Sequence, residues 1–150
     1  MTLKGKSAVV TGSTSGIGLG IARALAAQGA AVMLNGFGDK ALIDELRDGI
    51  TRLSGSRVGY HGADMSKPAE IEKLVRAAEK ELGAVDILVN NAGIQHVAPI
   101  DEFPEDKWDA VLAINLSSSF HPTKAALPGM MKRGWGRIIN LASAPGLVAS

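Results

Sequence analysis

The amino-acid sequence predicts an α/β fold with a doubly wound parallel sheet, and three observations support this prediction. Short apolar runs typical of strands alternate with patterns of helical period along all 150 residues. A glycine-rich segment at residues 11–18 joins the first apolar run to the first helical pattern. Polar motifs follow the later apolar runs. Because right-handed crossovers bring the carboxyl ends of parallel strands to one edge, we expect these segments to share a ligand site there.

Composition and charge narrow the class of protein further. A chain of 150 residues has room for one domain, residues 1–150. A net charge of +1 provides no basic field for nucleic acid, and the absence of cysteine excludes disulfides and thiolate metal sites. The hydrophobic fraction of 46% is typical of a globular core. Without a signal-peptide core or an apolar run long enough to span a bilayer, the predicted location is the cytoplasm, with no membrane partner.

The alternation resolves into five strands and four helices. Apolar runs with the length of strands lie at residues 7–10, 31–35, 57–61, 87–90 and 136–141. Apolar residues recur at helical spacing in four intervening segments, which start in turn at Ile17, Leu42, Ile71 and Trp108. We expect Ser66 to cap the third helix and the last helix to run to about Arg133. The fourth strand is wholly apolar, as expected of a parallel strand buried on both faces.

The three glycines of residues 11–18 have separate predicted tasks. Gly12 allows a sharp turn off the strand, Gly16 allows backbone to approach a pyrophosphate, and Gly18 allows the helix to pack close to the sheet. The free N–H groups and the positive dipole end of that helix then face the phosphates. The residues between these glycines complete the predicted cofactor segment: Ser13, Thr14, Ser15 and Ile17. The hydroxyl groups of the first three can add hydrogen-bond donors. The alternative is a structural turn that binds nothing.

The spacing Gly-x-x-x-Gly-x-Gly, with Thr11 in front, is similar to that of the classical short-chain dehydrogenase/reductase family. The resemblance implies a Rossmann-like fold and hydride transfer with a nicotinamide dinucleotide. Asp64 stands where the family has an Asp that accepts a hydrogen bond from the adenine amino group, and the N–H of Met65 would pair with the ring. The alternative for Asp64 is local capping of the third helix.

Residues 90–93, Asn-Asn-Ala-Gly, match an element of the same family residue for residue. Adjacent amides at a buried strand end are costly unless they are paired, so we expect one of them to tie neighbouring strands together. Ala92 and Gly93 would leave space for the ribose. The resemblance implies that Asn91, Ala92 and Gly93 belong to the cofactor site.

Two positions match the family's catalytic residues. Asn115 lies on the apolar stripe of the last helix, where a buried amide needs partners. The resemblance implies that Asn115 holds a water in a proton relay, and the alternative is a satisfied core amide. Ser143 follows the fifth strand and, by resemblance, hydrogen-bonds the substrate's carbonyl or hydroxyl oxygen.

A narrower similarity, to bacterial β-hydroxybutyrate dehydrogenases, lies in residues 34–38, 93–96 and 146–150. In that subgroup a Gln at the position of Gln95 helps to hold the substrate carboxylate; the alternative is an ordinary polar loop residue. The resemblance implies interconversion of 3-hydroxybutyrate and acetoacetate by a homo-oligomer, a tetramer. Pro145 stands where close relatives carry a His that contacts substrate, which leaves the exact hydroxy acid and its stereochemistry open.

The predicted cofactor is NAD. NADP needs a cation near its ribose phosphate, and the second strand ends in the neutral residues Asn35, Gly36 and Phe37. The nearest positive charge is Lys40, beyond Asp39. Because the acid that usually selects NAD is absent from this strand end, we expect backbone groups or Asp39 to select the cofactor and Phe37 to pack beside the adenosine.

The sequence departs from the family pattern at the general base, which is the Tyr of a Tyr-x-x-x-Lys motif beyond the position of Ser143. The only tyrosine is Tyr60, on the third strand. We therefore expect residues 1–150 to be the N-terminal part of a longer enzyme, inactive alone, with the fifth strand as a bare edge. Pro122 is expected to remove a hydrogen bond to the Ser118 carbonyl and kink the last helix, at about 3 kcal/mol.

Other chemistries have less support. His61 and Asp64 have no further ligands arranged with them, so no metal is predicted. His96 and His121 have no evident nucleophile partner. Three alternatives stay open: a dinucleotide-binding sensor without catalysis, a structural fragment without ligand affinity, and an inactive fragment of a dehydrogenase with another substrate.

Overall fold

The computed structural model describes residues 2–143 and contains one sheet of five parallel strands. The strands are β1 (Ser7–Val10), β2 (Ala31–Asn35), β3 (Val58–His61), β4 (Ile87–Asn90) and β5 (Arg137–Asn140). Their order is β3-β2-β1-β4-β5, so the chain builds outward from β1 to one edge and then returns to build the other half. This reversal defines the doubly wound, Rossmann-like arrangement that the sequence predicts.

Helices connect the strands as the alternation predicts. They are α1 (Gly16–Ala27), α2 (Lys40–Ser54), α3 (Pro68–Leu82), α4 (Glu105–Leu112) and α5 (Ser118–Arg133).

The expected cap of α3 is wrong, because Lys67 occupies the N-cap position without a side-chain cap. The hydroxyl of Ser66 instead donates to Asp64 Oδ1 over 2.7 Å, which holds it in the preceding turn.

The long final helix is two helices joined by a π-helical turn at Ala113–Ser117. It begins at Glu105 rather than at Trp108. Pro122 is buried within α5, and the helix continues through it to Arg133. The irregular segment is therefore the π-helical turn, which precedes the proline and which apolar periodicity did not reveal.

Both faces of the central strands are buried, as expected for parallel strands between helical layers. Val9 and Leu88 pack with residues of α3 and α5, whereas Val10 and Val89 pack with residues of α1 and α2. At the edge, β5 is more open, and Ile139 is 47% exposed. Among the described residues, no helix has both the length and the apolar character needed to cross a membrane.

Candidate functional site

The carboxyl ends of the central strands lie level with one another. Val10 of β1 is opposite Leu34 of β2 and Val89 of β4, so the loops that follow leave the sheet at the same edge. A cavity of about 360 Å³ lies there, between segments that follow four of the strands. It is lined by Gly12, Thr14, Ser15, Asn35, Gly36, Phe37, Ala63, Asp64, Met65, Asn91, Ala92, Gly93, Ile94 and Ile114. The predicted cofactor motifs that follow β1, β3 and β4 therefore meet in one place.

The glycine segment forms one wall of this cavity. Gly12 and Gly16 have φ angles of +61° and +54°, in the left-handed region that favours glycine. A Cβ on Gly18 would lie 2.2 Å from the carbonyl oxygen of Gly12, which is the close helix packing expected of this residue. A Cβ on Gly16 would meet nothing within 4 Å, so the space beside the start of α1 is open to a ligand.

The three hydroxyls of this segment differ in their partners. Ser13 is fully buried, its N–H donates to the Asn35 carbonyl, and its hydroxyl donates to the Val10 carbonyl over 2.6 Å. The expectation that its hydroxyl faces the phosphates is thus corrected, because the turn itself uses that donor. Thr14 Oγ1 donates to the Phe37 carbonyl over 3.1 Å. Ser15 is exposed at the start of α1 and makes no side-chain cap.

Asn35, at the end of β2, is the residue that sequence reasoning undervalued. Its side chain is fully buried, and Oδ1 accepts from the N–H of Gly12 over 3.2 Å. Nδ2 donates to the carbonyls of His61 and Ala63, each over 3.0 Å. One amide therefore joins the glycine segment to the segment after β3. The sequence did contain a signal for this role, because Asn35 is a polar residue at the end of an otherwise apolar strand.

A second amide joins β4 to β1. Asn91 Nδ2 donates to the carbonyls of Thr11 and Gly12, both over 2.9 Å. In return, Thr11 Oγ1 accepts from the N–H groups of Asn91 and Ala92, each over 3.0 Å. The neighbouring Asn90 donates to Asn140 Oδ1 over 2.8 Å, so this amide ties β4 to β5 as expected.

Asp64 lies in a tight turn between β3 and α3. Its Oδ1 accepts from the N–H and the hydroxyl of Ser66 over 2.9 and 2.7 Å, and these two donors are the main reason that the pKa of Asp64 is lowered. Its own N–H donates to Glu70 Oε2 over 2.8 Å. The adjacent Met65 is buried and lines the cavity. The Asp64 carboxylate therefore holds the turn before α3 and does not cap the helix, and the same turn lines the cavity.

The predicted catalytic and substrate residues are placed differently. Asn115 is exposed rather than buried, because the helix face around it, with Leu116 67% exposed, is uncovered in the described part of the chain. Its Oδ1 accepts from the N–H of Ile94 and its Nδ2 donates to the carbonyl of Ile94, both over 2.8 Å. Gln95 and Ser143 are exposed and do not line the cavity. Pro145 and residues 146–150 lie outside the described residues.

A Rossmann-like sheet with a cavity at the carboxyl ends of its strands defines the class of dinucleotide-binding folds. Within that class, the family model for short chain dehydrogenases matches residues 6–150. The chain therefore belongs to the short-chain dehydrogenase family, and the resemblance predicted from its motifs is confirmed.

Two relatives carry the same name. A "D-beta-hydroxybutyrate dehydrogenase" from Cupriavidus necator is 64% identical over 152 residues, and one from Rhizobium meliloti is 55% identical over 145 residues. The matches cover 99% and 97% of this chain but only 57% and 56% of the relatives. The chain thus spans little more than half the length of these proteins.

Solved structures show the same fold. A putative short-chain alcohol dehydrogenase from Sinorhizobium meliloti has a TM-score of 0.91 at 36% identity, covering 99% of this chain and 58% of its own. A metagenomic short-chain oxidoreductase in complex with NADP also has a TM-score of 0.91, at 32% identity, covering 100% and 67%.

Proposed function

We propose that residues 1–150 form one dinucleotide-binding domain of an NAD-dependent oxidoreductase, which interconverts D-β-hydroxybutyrate and acetoacetate. The observation that carries the proposal is the cavity where the motifs after β1, β3 and β4 meet. The names of the two relatives at 64% and 55% identity support the choice of substrate.

The residues at the cavity suit a dinucleotide. The open space beside Gly16 lies at the start of α1, where free N–H groups and the helix dipole favour a diphosphate. Ser15 adds an exposed hydroxyl at the same point. Phe37, which is 72% exposed, offers an apolar surface for the adenosine. Ala92 and Gly93 carry little or no side chain, which suits a ribose.

The charges at the cavity favour NAD over NADP. Among the described residues that line it, the only charged side chain is Asp64, and a 2′-phosphate gains nothing from a carboxylate. Lys40 forms an ion pair with Asp44 along α2. A Cβ on Gly36 would lie 2.5 Å from Thr14 Oγ1, so any side chain at this position would require Thr14 to move. Selection of NAD over NADP would then follow from the absence of a cation among the described residues that line the cavity.

The residues have distinct proposed tasks in catalysis. A nicotinamide cofactor held at this cavity would supply the acceptor for the hydride of the carbinol carbon. Ser143 would hydrogen-bond the reacting oxygen, and Gln95 would hold the substrate carboxylate. Asn115 holds the backbone of Ile94 on both sides, which sets the start of the loop that carries Gln95. The Tyr that accepts the proton is expected beyond residue 150.

Calorimetric titration with NAD and NADP tests the cofactor proposal. We expect NAD to bind at least about tenfold more tightly than NADP. Gly16→Val places a branched side chain in the open space at a positive φ, and it should weaken NAD binding by at least about tenfold. Gly20→Ala is the control, because a Cβ there also meets nothing within 4 Å but lies about one turn beyond the start of α1. Preference for NADP, or equal binding by both variants, would contradict the proposal.

An activity assay separates the enzyme from a dinucleotide-binding sensor. Protein expressed from the complete gene is incubated with NAD and D-β-hydroxybutyrate, and formation of NADH is followed by absorbance. We expect turnover with the D-enantiomer and little with the L-enantiomer. Tight NAD binding without turnover would favour the sensor instead.

We also propose a homo-oligomer, a tetramer, for the complete protein. An exposed apolar stripe along α4 and α5 supports association, and it consists of Trp108, Leu112, Leu116, Phe120, Leu127 and Met131. Light scattering of the protein from the complete gene measures the subunit number, and a monomer would contradict this proposal.

A further inference from the structure

We propose that Glu70 is a positioning residue for the adenine end of the cofactor, because it fixes the backbone of the turn that carries Asp64 and Met65. This inference rests on the proposed dinucleotide function. Glu70 does not line the cavity and belongs to none of the motifs that the sequence reveals. It acts through Asp64, which lines the cavity.

The geometry places Glu70 behind the turn. Glu70 Oε2 accepts the N–H of Asp64 over 2.8 Å, and the Asp64 carbonyl accepts the N–H of Lys67 over 3.0 Å. Both backbone groups of Asp64 are therefore held. Met65 is only 6% exposed, and its N–H donates to no acceptor within residues 2–143. That free N–H is a donor and the neighbouring Asp64 carboxylate is an acceptor, and one donor with one acceptor is the pattern that complements adenine.

Glu70 also shares the cation beside Asp64. Lys67 Nζ lies 3.5 Å from Asp64 Oδ2 and 3.4 Å from Glu70 Oε1. Without Glu70, the ammonium group would have only the Asp64 carboxylate as its partner and would compete with an adenine amino group for it. The lysine side chain is 61% exposed, so each ion pair alone is weak and the hydrogen bond to the Asp64 backbone matters more.

A simpler role for Glu70 is to stabilise the N-terminus of α3. An acid in the first helical turn is favourable there, and at this position it ordinarily accepts the N–H of the N-cap residue. Here the N-cap residue is Lys67, yet the Glu70 carboxylate reaches past it to Asp64, outside the helix. The contact is therefore directed at the strand end that faces the cavity.

Binding of two dinucleotides tests the inference. Nicotinamide hypoxanthine dinucleotide differs from NAD in that a carbonyl acceptor and a ring N–H replace the amino donor and ring acceptor of adenine. We expect the protein from the complete gene to prefer NAD by at least about tenfold, since the reversed pattern leaves polar groups unpaired. Glu70→Ala should weaken the binding of NAD and so reduce this preference to about threefold or less.

Two further variants make the result specific. Glu70→Gln retains an oxygen that can accept the Asp64 N–H, so it should recover most of the preference. Glu72→Ala, on an exposed part of α3 that does not contact the turn, should leave the preference unchanged. Circular dichroism of each variant checks that α3 remains folded.

Each outcome decides between the roles. An unchanged preference in Glu70→Ala would overturn the inference and leave the proposed function intact. Equal weakening of both dinucleotides would assign Glu70 to helix stability alone and would also overturn it. Failure of the unsubstituted protein to bind NAD would overturn the proposed function, and the inference with it.

Discussion

The proposed adenosine side and the proposed substrate side of the site are built differently. On the adenosine side, Asn35 is fully buried and its amide contacts two other segments of the chain. On the substrate side, Asn115 is exposed and its amide contacts only Ile94, in the loop that carries Gln95. Both amides use their oxygen and their nitrogen, but only the first is enclosed by the core.

This difference indicates where the described residues fix the site by themselves. Buried hydrogen bonds between strand ends are part of the folded core, so the adenosine side should form whenever the sheet forms. The loop around Gln95 has exposed apolar neighbours, with Val97 81% and Ile100 84% exposed. Its position depends on few contacts, and substitutions there should affect catalysis more than folding.

The largest expected effect on folding comes from Gly18→Ala, at the joint between α1 and the sheet. The new Cβ would lie 2.2 Å from the Gly12 carbonyl oxygen and 2.5 Å from Asn91 Nδ2, so backbone must move. We expect the free energy of unfolding to fall by about 3 kcal/mol, as measured by urea denaturation.

Gly20→Ala is the control for Gly18→Ala, since it makes the same change in the same helix where nothing lies within 4 Å of the Cβ. It should stabilise the protein by about 0.5 to 1 kcal/mol, because alanine favours a helix over glycine. Similar destabilisation by both variants would show that the close approach at Gly18 is unimportant.

Asn35→Ala should destabilise the protein somewhat less than Gly18→Ala does. The change removes the partner of the Gly12 N–H and of the carbonyls of His61 and Ala63, and it leaves these groups buried. We expect a loss of about 2 kcal/mol in the free energy of unfolding, together with weaker NAD binding.

Asn35→Asp sharpens this result, because it keeps an acceptor for Gly12 but places a carboxylate oxygen against the two carbonyls. Burial and those carbonyls raise the pKa of the new acid in the folded state. Its destabilisation should therefore diminish as the pH falls, since the protonated acid can donate to a carbonyl. A loss that does not depend on pH would contradict this account of the contacts.

Much of the fold was predictable because its signals are local. Apolar runs and helical spacing predicted the strands and helices to within a few residues, and Gly55 and Gly83 end α2 and α3 in the left-handed conformation. The meeting of the motifs at one edge followed from topology. The partners of individual hydroxyls and amides did not, because Ser13 and Asn35 bond to groups brought together only by the sheet. The π-helical turn at Asn115 has no periodic signature, and the helix face around Asn115 is uncovered in the described residues.

On the substrate side, Asn115→Ala should cost less than about 1 kcal/mol in unfolding, because the lost hydrogen bonds are exposed. We expect NAD affinity to stay within about twofold, whereas kcat/KM for D-β-hydroxybutyrate falls at least about tenfold as the loop loses its anchor. Ser117→Ala, an exposed change in the same π-helical turn, is the control. Loss of NAD affinity equal to that of Asn35→Ala would remove the distinction between the two sides.

The smallest expected effect is on the pH dependence of stability at the Asp64 turn. The Ser66 hydroxyl and N–H lower the pKa of Asp64, and the Asp64 N–H lowers that of Glu70. Because each folded-state pKa is lower than the ordinary pKa of that carboxyl group, this stabilisation is present above the ordinary pKa and is lost as the pH falls through the lowered one. The melting temperature is measured between neutral and strongly acidic pH for the unsubstituted protein and for Glu70→Gln, and the two curves should converge at low pH. Glu72→Gln is the control, because its carboxylate is outside this turn. Its curve should run parallel to that of the unsubstituted protein. A constant difference between the first two curves would mean that the Glu70 carboxylate is not held by Asp64 in solution.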